Sequence, residues 1–202
     1  MKRTAKLALA TVFLATGVQG AALAQEQGMS GARPAVQPAG AALAPPPAAR
    51  PAARAVDVAS VDAIVKALYD VVSGPAGGRD WDRLRSLFAA DGRMGAIGAR
   101  AAGGFGLRAM TVEDYIVMAG KNFSQSGFFE SEVARSTDTF GQLVHVFSTY
   151  EARRSPADAT PFMRGINSIQ LYHDGQRWYV VSLLWRAEDD KLSLPERYRK
   201  NR

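Results

Sequence analysis

The spacing of apolar residues along the chain changes near Gly127, from a helical period to a strand period. Ahead of that point, apolar side chains recur every three to four residues in three segments, which predicts helices over residues 57–73, 81–88 and 111–122. Residues 93–110 are rich in glycine with scattered apolar positions, and we interpret them as a loose hairpin.

Short motifs mark where two of these helices begin. Asp80 stands where an N-cap is expected for the second helix. Thr111 and Asp114 have the spacing of a capping box, with aspartate in place of the usual glutamate. The first helix is expected to end at Gly74-Pro75, because neither residue continues a helix well.

After Gly127 the sequence favours strands. Four segments are rich in aromatic and β-branched residues and end in turn residues: 128–138, 142–153, 161–173 and 176–187. Asp174-Gly175, between the last two, is the strongest hairpin signal in the chain. Four strands in succession predict an antiparallel meander. With three helices on one face of this curved sheet, the predicted fold class is α+β in two layers.

The first 24 residues have the three parts of a secretory signal peptide. A basic start is followed by the apolar run 7–18 and by small residues up to Ala24, after which cleavage is expected. Twelve apolar residues are fewer than the roughly 20 that span a bilayer. We therefore predict a periplasmic or secreted protein with no stable membrane anchoring after cleavage.

Two segments flank the predicted domain, which covers residues 57–190. Residues 25–56 hold 11 alanines, 6 prolines and no aromatic residue. They carry too little bulky apolar surface to offset the entropy of ordering, so we expect a disordered linker. Residues 191–202 end in a basic cluster and are predicted to be a solvated tail.

The charge of the chain is unevenly distributed. Its formal net charge is +6, with 25 Lys and Arg against 19 Asp and Glu. Residues 57–190, however, hold 14 basic and 17 acidic side chains, so the domain itself carries −3. The excess of positive charge lies at the two ends, and we therefore do not predict a nucleic-acid partner.

The absence of cysteine narrows the possible chemistry. It excludes disulfides, thiolate metal sites and a cysteine nucleophile. With only His145 and His173 as histidines, we predict no metal site, because such sites need three or four converging ligands.

The order of elements and four local runs resemble the nuclear-transport-factor-2-like (NTF2-like, also SnoaL-like) cone fold. The runs are VDAIVKALYDVVSGPAG (61–77), RDWDRLRSLF (79–88), HVFSTYEAR (145–153) and RGINSIQLYHDGQRWYVVSLLW (164–185). The resemblance spans residues 57–190. It implies a cone-shaped fold with three N-terminal helices on a curved, mostly antiparallel sheet, an apolar pocket and a homodimer. It also implies proton-transfer chemistry without a bound cofactor in those members that are enzymes.

The family resemblance gives only partial guidance to catalytic residues. Its isomerase branch uses a tyrosine on the first helix, a role that Tyr69 could take, together with aspartates on the inner sheet. Here Asp138, Asp158 and Asp174 all fall at turns or strand ends, which argues against that mechanism. The dehydratase branch uses two histidines and an aspartate, but His145 and His173 are not a convincing pair.

Two further polar residues lie within predicted strands. His145 is a candidate acid, base or ligand donor, although a core or edge histidine bonded to a backbone carbonyl explains it as well. Arg164 could hold an anionic group, and an ion pair with Glu130, Glu132 or Glu151 on neighbouring strands is an equally good interpretation.

In the predicted strand that includes residues 164–170, successive side chains point to opposite faces of the sheet, and the sequence does not say which face lines the pocket. Arg164, Ser168 and Gln170 share one face, whereas Gly165, Asn167 and Ile169 share the other. We take four residues as candidates for the pocket lining: Tyr150, Asn167, Gln170 and Trp185.

The sequence favours an exported domain that binds a small, largely apolar molecule without a metal or organic cofactor. Whether it is an enzyme stays open; an isomerase, dehydratase or hydrolase would use Tyr69, His145 and Arg164. The alternative is a structural or interaction module that dimerises through its sheet face. That alternative predicts a pocket filled by aromatic side chains, with no volume left for a ligand.

Overall fold

A computed structural model describes residues 50–199. Four helices, α1 to α4, and six strands, β1 to β6, follow one another as α1 (Ala55–Val58), α2 (Val61–Val72), α3 (Trp81–Leu87), β1 (Phe88–Ala99), β2 (Phe105–Thr111), α4 (Val112–Phe123), β3 (Phe129–Phe140), β4 (Leu143–Arg153), β5 (Met163–His173) and β6 (Trp178–Ala187). A short 3-10 turn covers Glu196–Tyr198. The predicted signal peptide and most of the predicted linker lie outside the described residues.

The six strands form one sheet in the order β2-β1-β6-β5-β4-β3. Strands β3 to β6 are the predicted meander, and the Gly-rich segment forms the hairpin β1–β2. Only the β1–β6 pairing is parallel. The α+β class and the mostly antiparallel sheet are therefore confirmed.

The helices differ in number and place from the prediction. The structure has four rather than three, because the segment predicted as one helix over 57–73 holds two, α1 and α2, whereas α4 follows the first hairpin as the helix predicted over 111–122 does. Helix α3 also ends one residue early, because Phe88 is already the first residue of β1. Phe88 is fully buried and pairs with Val180 of β6, so a contact distant in sequence determines the extended backbone conformation of Phe88.

The capping residues predicted from sequence hold the helix starts. The Asp80 side chain accepts a hydrogen bond from the backbone N–H of Arg83, and Thr111 and Asp114 form both bonds of the capping box. The box fixes where α4 leaves β2 and so sets the helix that closes one side of the core.

The core lies between the helices and the inner face of the sheet. Helix α2 contributes Ile64, Val65 and Leu68 to it. The central strands contribute alternate apolar residues, among them Val144, Val146, Ile169, Leu171 and Val180. None of the helices within residues 50–199 is long and apolar enough to cross a membrane.

Residues 50–56, at the end of the predicted disordered linker, contact the domain. The Arg50 guanidinium donates to the carbonyls of Phe88 and Ala90, and α1 begins at Ala55. Asp57, within α1, accepts two hydrogen bonds from the Arg83 guanidinium, at 2.7 and 2.8 Å, and these bonds lower the pKa of Asp57. The described part of the fold thus begins ahead of residue 57.

The predicted basic tail packs on the outer face of the sheet as far as residue 199. Leu194 is buried, and the Thr149 hydroxyl donates to the carbonyl of Tyr198 at 2.7 Å. The Tyr198 ring also meets Phe147, with 5.1 Å between ring centroids. These contacts bring the chain back across β4 after the last strand.

Gly165 provides a direct test of this sheet packing. A Cβ there would lie 2.4 Å from the backbone oxygen of Arg186 and 2.7 Å from the hydroxyl of Tyr150. We predict that Gly165→Ala lowers the free energy of unfolding by about 1–3 kcal/mol. Gly98→Ala is the matched control, because its Cβ would have no neighbour within 4 Å. Equal urea midpoints for the two variants would contradict this packing.

Candidate functional site

A cavity of about 250 Å³ lies between the helices α2 and α4 and the inner face of the sheet. Most of its wall is apolar, from Leu68, Val72, Leu84, Met94, Met118, Ala119, Phe123, Phe128, Met163, Ile169, Leu183 and Trp185. Six residues add polar groups: Tyr69, Tyr115, Asn122, Glu130, Tyr150 and Asn167. A largely apolar wall with a few polar groups is typical of a small-molecule site.

Glu130 is the one charged side chain in this wall. It is the second residue of β3, and its backbone is fastened to the end of α2 by Ser73, whose Oγ accepts from the Glu130 N–H at 2.9 Å. The carboxylate accepts one hydrogen bond, from Asn167 Nδ2 at 3.3 Å. Among residues 50–199, no Lys, Arg or His forms a salt bridge with it.

Burial of this carboxyl changes its acidity. The Glu130 side chain is half-buried and lies in the wall of the cavity. Loss of hydration raises the pKa of Glu130 from 4.5 to about 7, and the hydrogen bond from Asn167 opposes the rise in part. A group with this pKa is divided between its acid and its base near neutral pH.

A chain of hydrogen bonds connects Glu130 to the protein surface. Asn167 Nδ2 also donates to the Tyr69 hydroxyl, at 3.1 Å, and Tyr69 lies 2.6 Å from the hydroxyl of Ser148. The Ser148 hydroxyl donates to Glu132, so the Ser148 oxygen can accept a hydrogen bond from the Tyr69 hydroxyl. The orientation of Asn167, and through it of Glu130, is therefore fixed by a buried network rather than by packing alone.

Glu132 ends this network and differs sharply from Glu130. The Arg135 guanidinium binds its carboxylate through two N–H groups, one of them at 2.9 Å from Oε1, and Arg135 also pairs with Asp62 near the surface. Two glutamates of one strand thus have opposite surroundings. Glu132 is neutralised by Arg135, whereas Glu130 faces the cavity without a cation from residues 50–199 beside it.

Three tyrosines line the cavity with protonated hydroxyls. Burial, and then the nearby charge of Glu130, raise the pKa of Tyr69, Tyr115 and Tyr150 well above the usual value. At neutral pH these hydroxyls therefore keep their protons. The Tyr150 hydroxyl is buried without a partner among the described residues, packed against Gly165.

The sequence-predicted site residues separate into two groups. Tyr69, Tyr150, Asn167 and Trp185 all line the cavity. Asn167 makes the two contacts that organise the polar wall, one to Tyr69 and one to Glu130.

The other three candidates lie outside the cavity lining. His145 has its Nε2 3.0 Å from the hydroxyl of Ser168, and Gln170 lies opposite His145 in the neighbouring strand, on the outer face. Arg164 pairs with Glu188 at 2.8 Å, rather than with any of the glutamates considered from the sequence. His145, Arg164 and Gln170 therefore do not meet Tyr69 in one site.

Sequence reasoning missed Glu130 as a functional candidate and considered it only as an ion-pair partner. The available signal was alternation: Glu130 and Glu132 lie two residues apart and face the same side. Which side that is depends on pairing with β4, where Glu132 lies opposite Tyr150 and the register shifts just beyond it. A single sequence does not contain that register.

No family model matches the chain, and no curated protein matches it. Solved structures that resemble it include an NTF2-like protein of unknown function from Silicibacter pomeroyi (18% identity, 64% of this chain and 94% of that one, TM-score 0.42). Two others are NTF2-like proteins from Cytophaga hutchinsonii (14%, 63% and 97%, TM-score 0.46) and Pseudomonas aeruginosa (14%, 64% and 95%, TM-score 0.45). These neighbours are of the NTF2-like kind that the sequence resemblance names.

The raised pKa of Glu130 predicts a specific dependence of stability on pH. Between pH 4.5 and about 7 the folded state retains a proton that the unfolded state has lost, so stability falls as the pH rises through this range. Glu130→Gln removes the penalty and keeps an oxygen for Asn167. We predict that at about pH 8 the variant is more stable than the parent by about 1–3 kcal/mol, with little difference at about pH 4.

Urea unfolding at the two pH values measures this difference. Glu196→Gln is the control, because the Glu196 side chain is 91% exposed and is not among the residues that line the cavity. A Glu130→Gln variant that is less stable than the parent at the higher pH would show that the carboxylate is compensated after all.

Proposed function

We propose that this chain is an exported domain that binds a small, largely apolar molecule in the cavity, and that Glu130 exchanges a proton with that molecule. The observation that supports the proposal is a single carboxyl group, with a pKa near neutrality, in the wall of an otherwise apolar cavity. An acid or base is most effective when its pKa lies near the working pH.

The polar and apolar residues that line the cavity support a ligand with an apolar body and one polar end. Hydrogen bonds through Asn167 join two of the cavity's polar side chains, Tyr69 and Glu130, whereas Met94, Leu183 and similar side chains form apolar parts of the wall. Burying apolar ligand surface contributes roughly 25 cal/mol per Å². The polar group of the ligand would then be oriented toward Glu130.

Reaction classes that need only proton transfer fit this arrangement best: a cofactor-free isomerase, dehydratase or hydrolase. Ionised Glu130 would accept a proton from the ligand, or protonated Glu130 would donate one. Asn167 would hold the carboxyl in place, and Tyr69 would hold Asn167. Tyr69 therefore takes a positioning role here, while His145 and Arg164 have no part in it.

Export is proposed on the sequence alone. Residues 1–24 have the basic, apolar and small-residue parts of a signal peptide, and cleavage is proposed after Ala24. N-terminal sequencing of the protein recovered from the periplasm or the medium tests this part separately.

A second function is favoured by the outer face of the sheet and its edges. Exposed apolar side chains occur there, among them Leu143 and Tyr172. We propose that this face makes the homodimer implied by the family resemblance. The open cavity does not follow from a purely structural role, because such a role predicts a pocket filled by side chains. Light scattering on the purified domain tests the dimer.

Filling the cavity tests the binding proposal. Ala119 lines the cavity from α4 and is 3% exposed, whereas Val117, two residues earlier, is 76% exposed. We predict that fragments from an apolar library bind the parent and shift the NMR signal of the Trp185 indole. Ala119→Phe should abolish these shifts, and Val117→Phe should leave them unchanged.

Circular dichroism is the check that both variants fold, since overpacking costs about 1–3 kcal/mol. Fragments that bind Ala119→Phe as well as the parent would place the binding site elsewhere. A parent protein that binds no fragment in the cavity would contradict the proposal.

A further inference from the structure

The charge of the cavity wall restricts the ligand. Glu130 is its one ionisable carboxyl, and no Lys, Arg or His is among the residues that line it. Buried charges in proteins are normally paired with an opposite charge or bound to a metal. Within residues 50–199, Glu130 has neither a salt-bridge partner nor a place in any group of three metal-ligating side chains.

Cations near the cavity are committed to other groups. The Arg79 guanidinium lies over the Phe123 ring, and its N–H groups donate to five backbone carbonyls between residues 72 and 78. Arg135 is bound to Glu132, and Arg186 to Asp189. Neutralising Glu130 from within the protein would require breaking one of these sets of bonds.

Aromatic rings line the cavity that holds the unpaired carboxyl. Tyr69, Tyr115 and Tyr150 line the cavity together with Trp185, Phe123 and Phe128. The Tyr115 and Trp185 rings meet edge to face at 6.0 Å, and Phe123 stacks on Phe128 at 4.9 Å. The faces of aromatic rings carry partial negative charge and attract cations, most strongly where water is excluded.

We propose that the ligand of this cavity is an organic cation: a protonated or quaternary amine on an apolar body, with its positive end paired to Glu130 among the aromatic rings. The inference rests on the proposed binding function and adds the charge of the ligand. A cation of this kind supplies the partner that the protein lacks, and an anion is disfavoured by the same carboxylate.

Binding of the cation is coupled to ionisation of Glu130. The free protein retains the Glu130 proton through much of the range below pH 7, and the cation must displace it. Cation affinity should therefore rise with pH and level off above about 7. Once the cation is bound, Glu130 is held in its ionised form, which is the proton-accepting form.

Three probes of similar size separate charge from shape. Benzyltrimethylammonium carries a fixed positive charge, neopentylbenzene has the same shape without charge, and phenylacetate is an anion. Titrations followed by the Trp185 indole signal give a dissociation constant for each at about pH 8. We expect the cation to bind about tenfold or more tightly than the neutral isostere, and the anion not to bind.

Two variants locate the effect. Glu130→Gln should abolish the preference for the cation and leave the affinity for the neutral probe within about twofold. Glu196→Gln removes the same charge from the exposed surface and should leave all three affinities unchanged. Because benzyltrimethylammonium does not titrate, lowering the pH from about 8 to about 5 should weaken its binding to the parent by the same factor of about tenfold or more, and should not affect its binding to Glu130→Gln.

The possible outcomes distinguish failure of this inference from failure of the proposed binding function on which it rests. Equal binding of cation and neutral isostere, unchanged by Glu130→Gln, would overturn the inference and leave the apolar binding site in place. Failure of every probe to shift the Trp185 signal would overturn the proposed function as well. A cation preference that survives Glu130→Gln would assign the recognition to another group and overturn the inference.

Discussion

A carboxyl group enclosed by apolar and aromatic side chains must either find a positive partner or keep its proton. Glu130 meets this constraint in the wall of the cavity, where it receives one hydrogen bond from Asn167 and forms no salt bridge among the described residues. Its pKa rises to about 7 as a result. The rest of the site is arranged around this one group.

The surrounding structure holds Glu130 in a position that is unfavourable for its charged form. Ser73, at the end of α2, fastens the Glu130 backbone, and Asn167 on β5 fixes its side chain. Tyr69 and Ser148 extend the network to Glu132, which Arg135 neutralises. The helix, three strands and a buried polar chain thus stabilise one carboxyl at the cavity surface, at some cost to the stability of the domain at neutral pH.

Local features of the fold could be predicted from the sequence, because they depend on neighbouring residues. The Asp174-Gly175 turn, the Thr111–Asp114 capping box and the four strands of the meander all fall into this class. Phe88 could not be placed, because its strand conformation comes from pairing with β6, nearly a hundred residues away in the chain.

The candidate site was predictable only in part for the same reason. Alternation separated Asn167 from Arg164 but did not say which of them faces inward, since that depends on how the helices cover the sheet. His145 drew attention as a rare histidine, yet it lies on the outer face beside Ser168. Glu130 resembled an ordinary strand glutamate until the register of β3 against β4 was known.

The ionisation of Glu130 in the intact protein is the most direct measure of this account. Carbon-detected NMR on protein labelled at the glutamate side chains follows the Glu130 carboxyl carbon through a pH titration, with assignment by Glu130→Gln. We predict a midpoint near pH 7, because burial raises the pKa of Glu130 to about this value. A midpoint near 4.5, the usual value for glutamate, would contradict it.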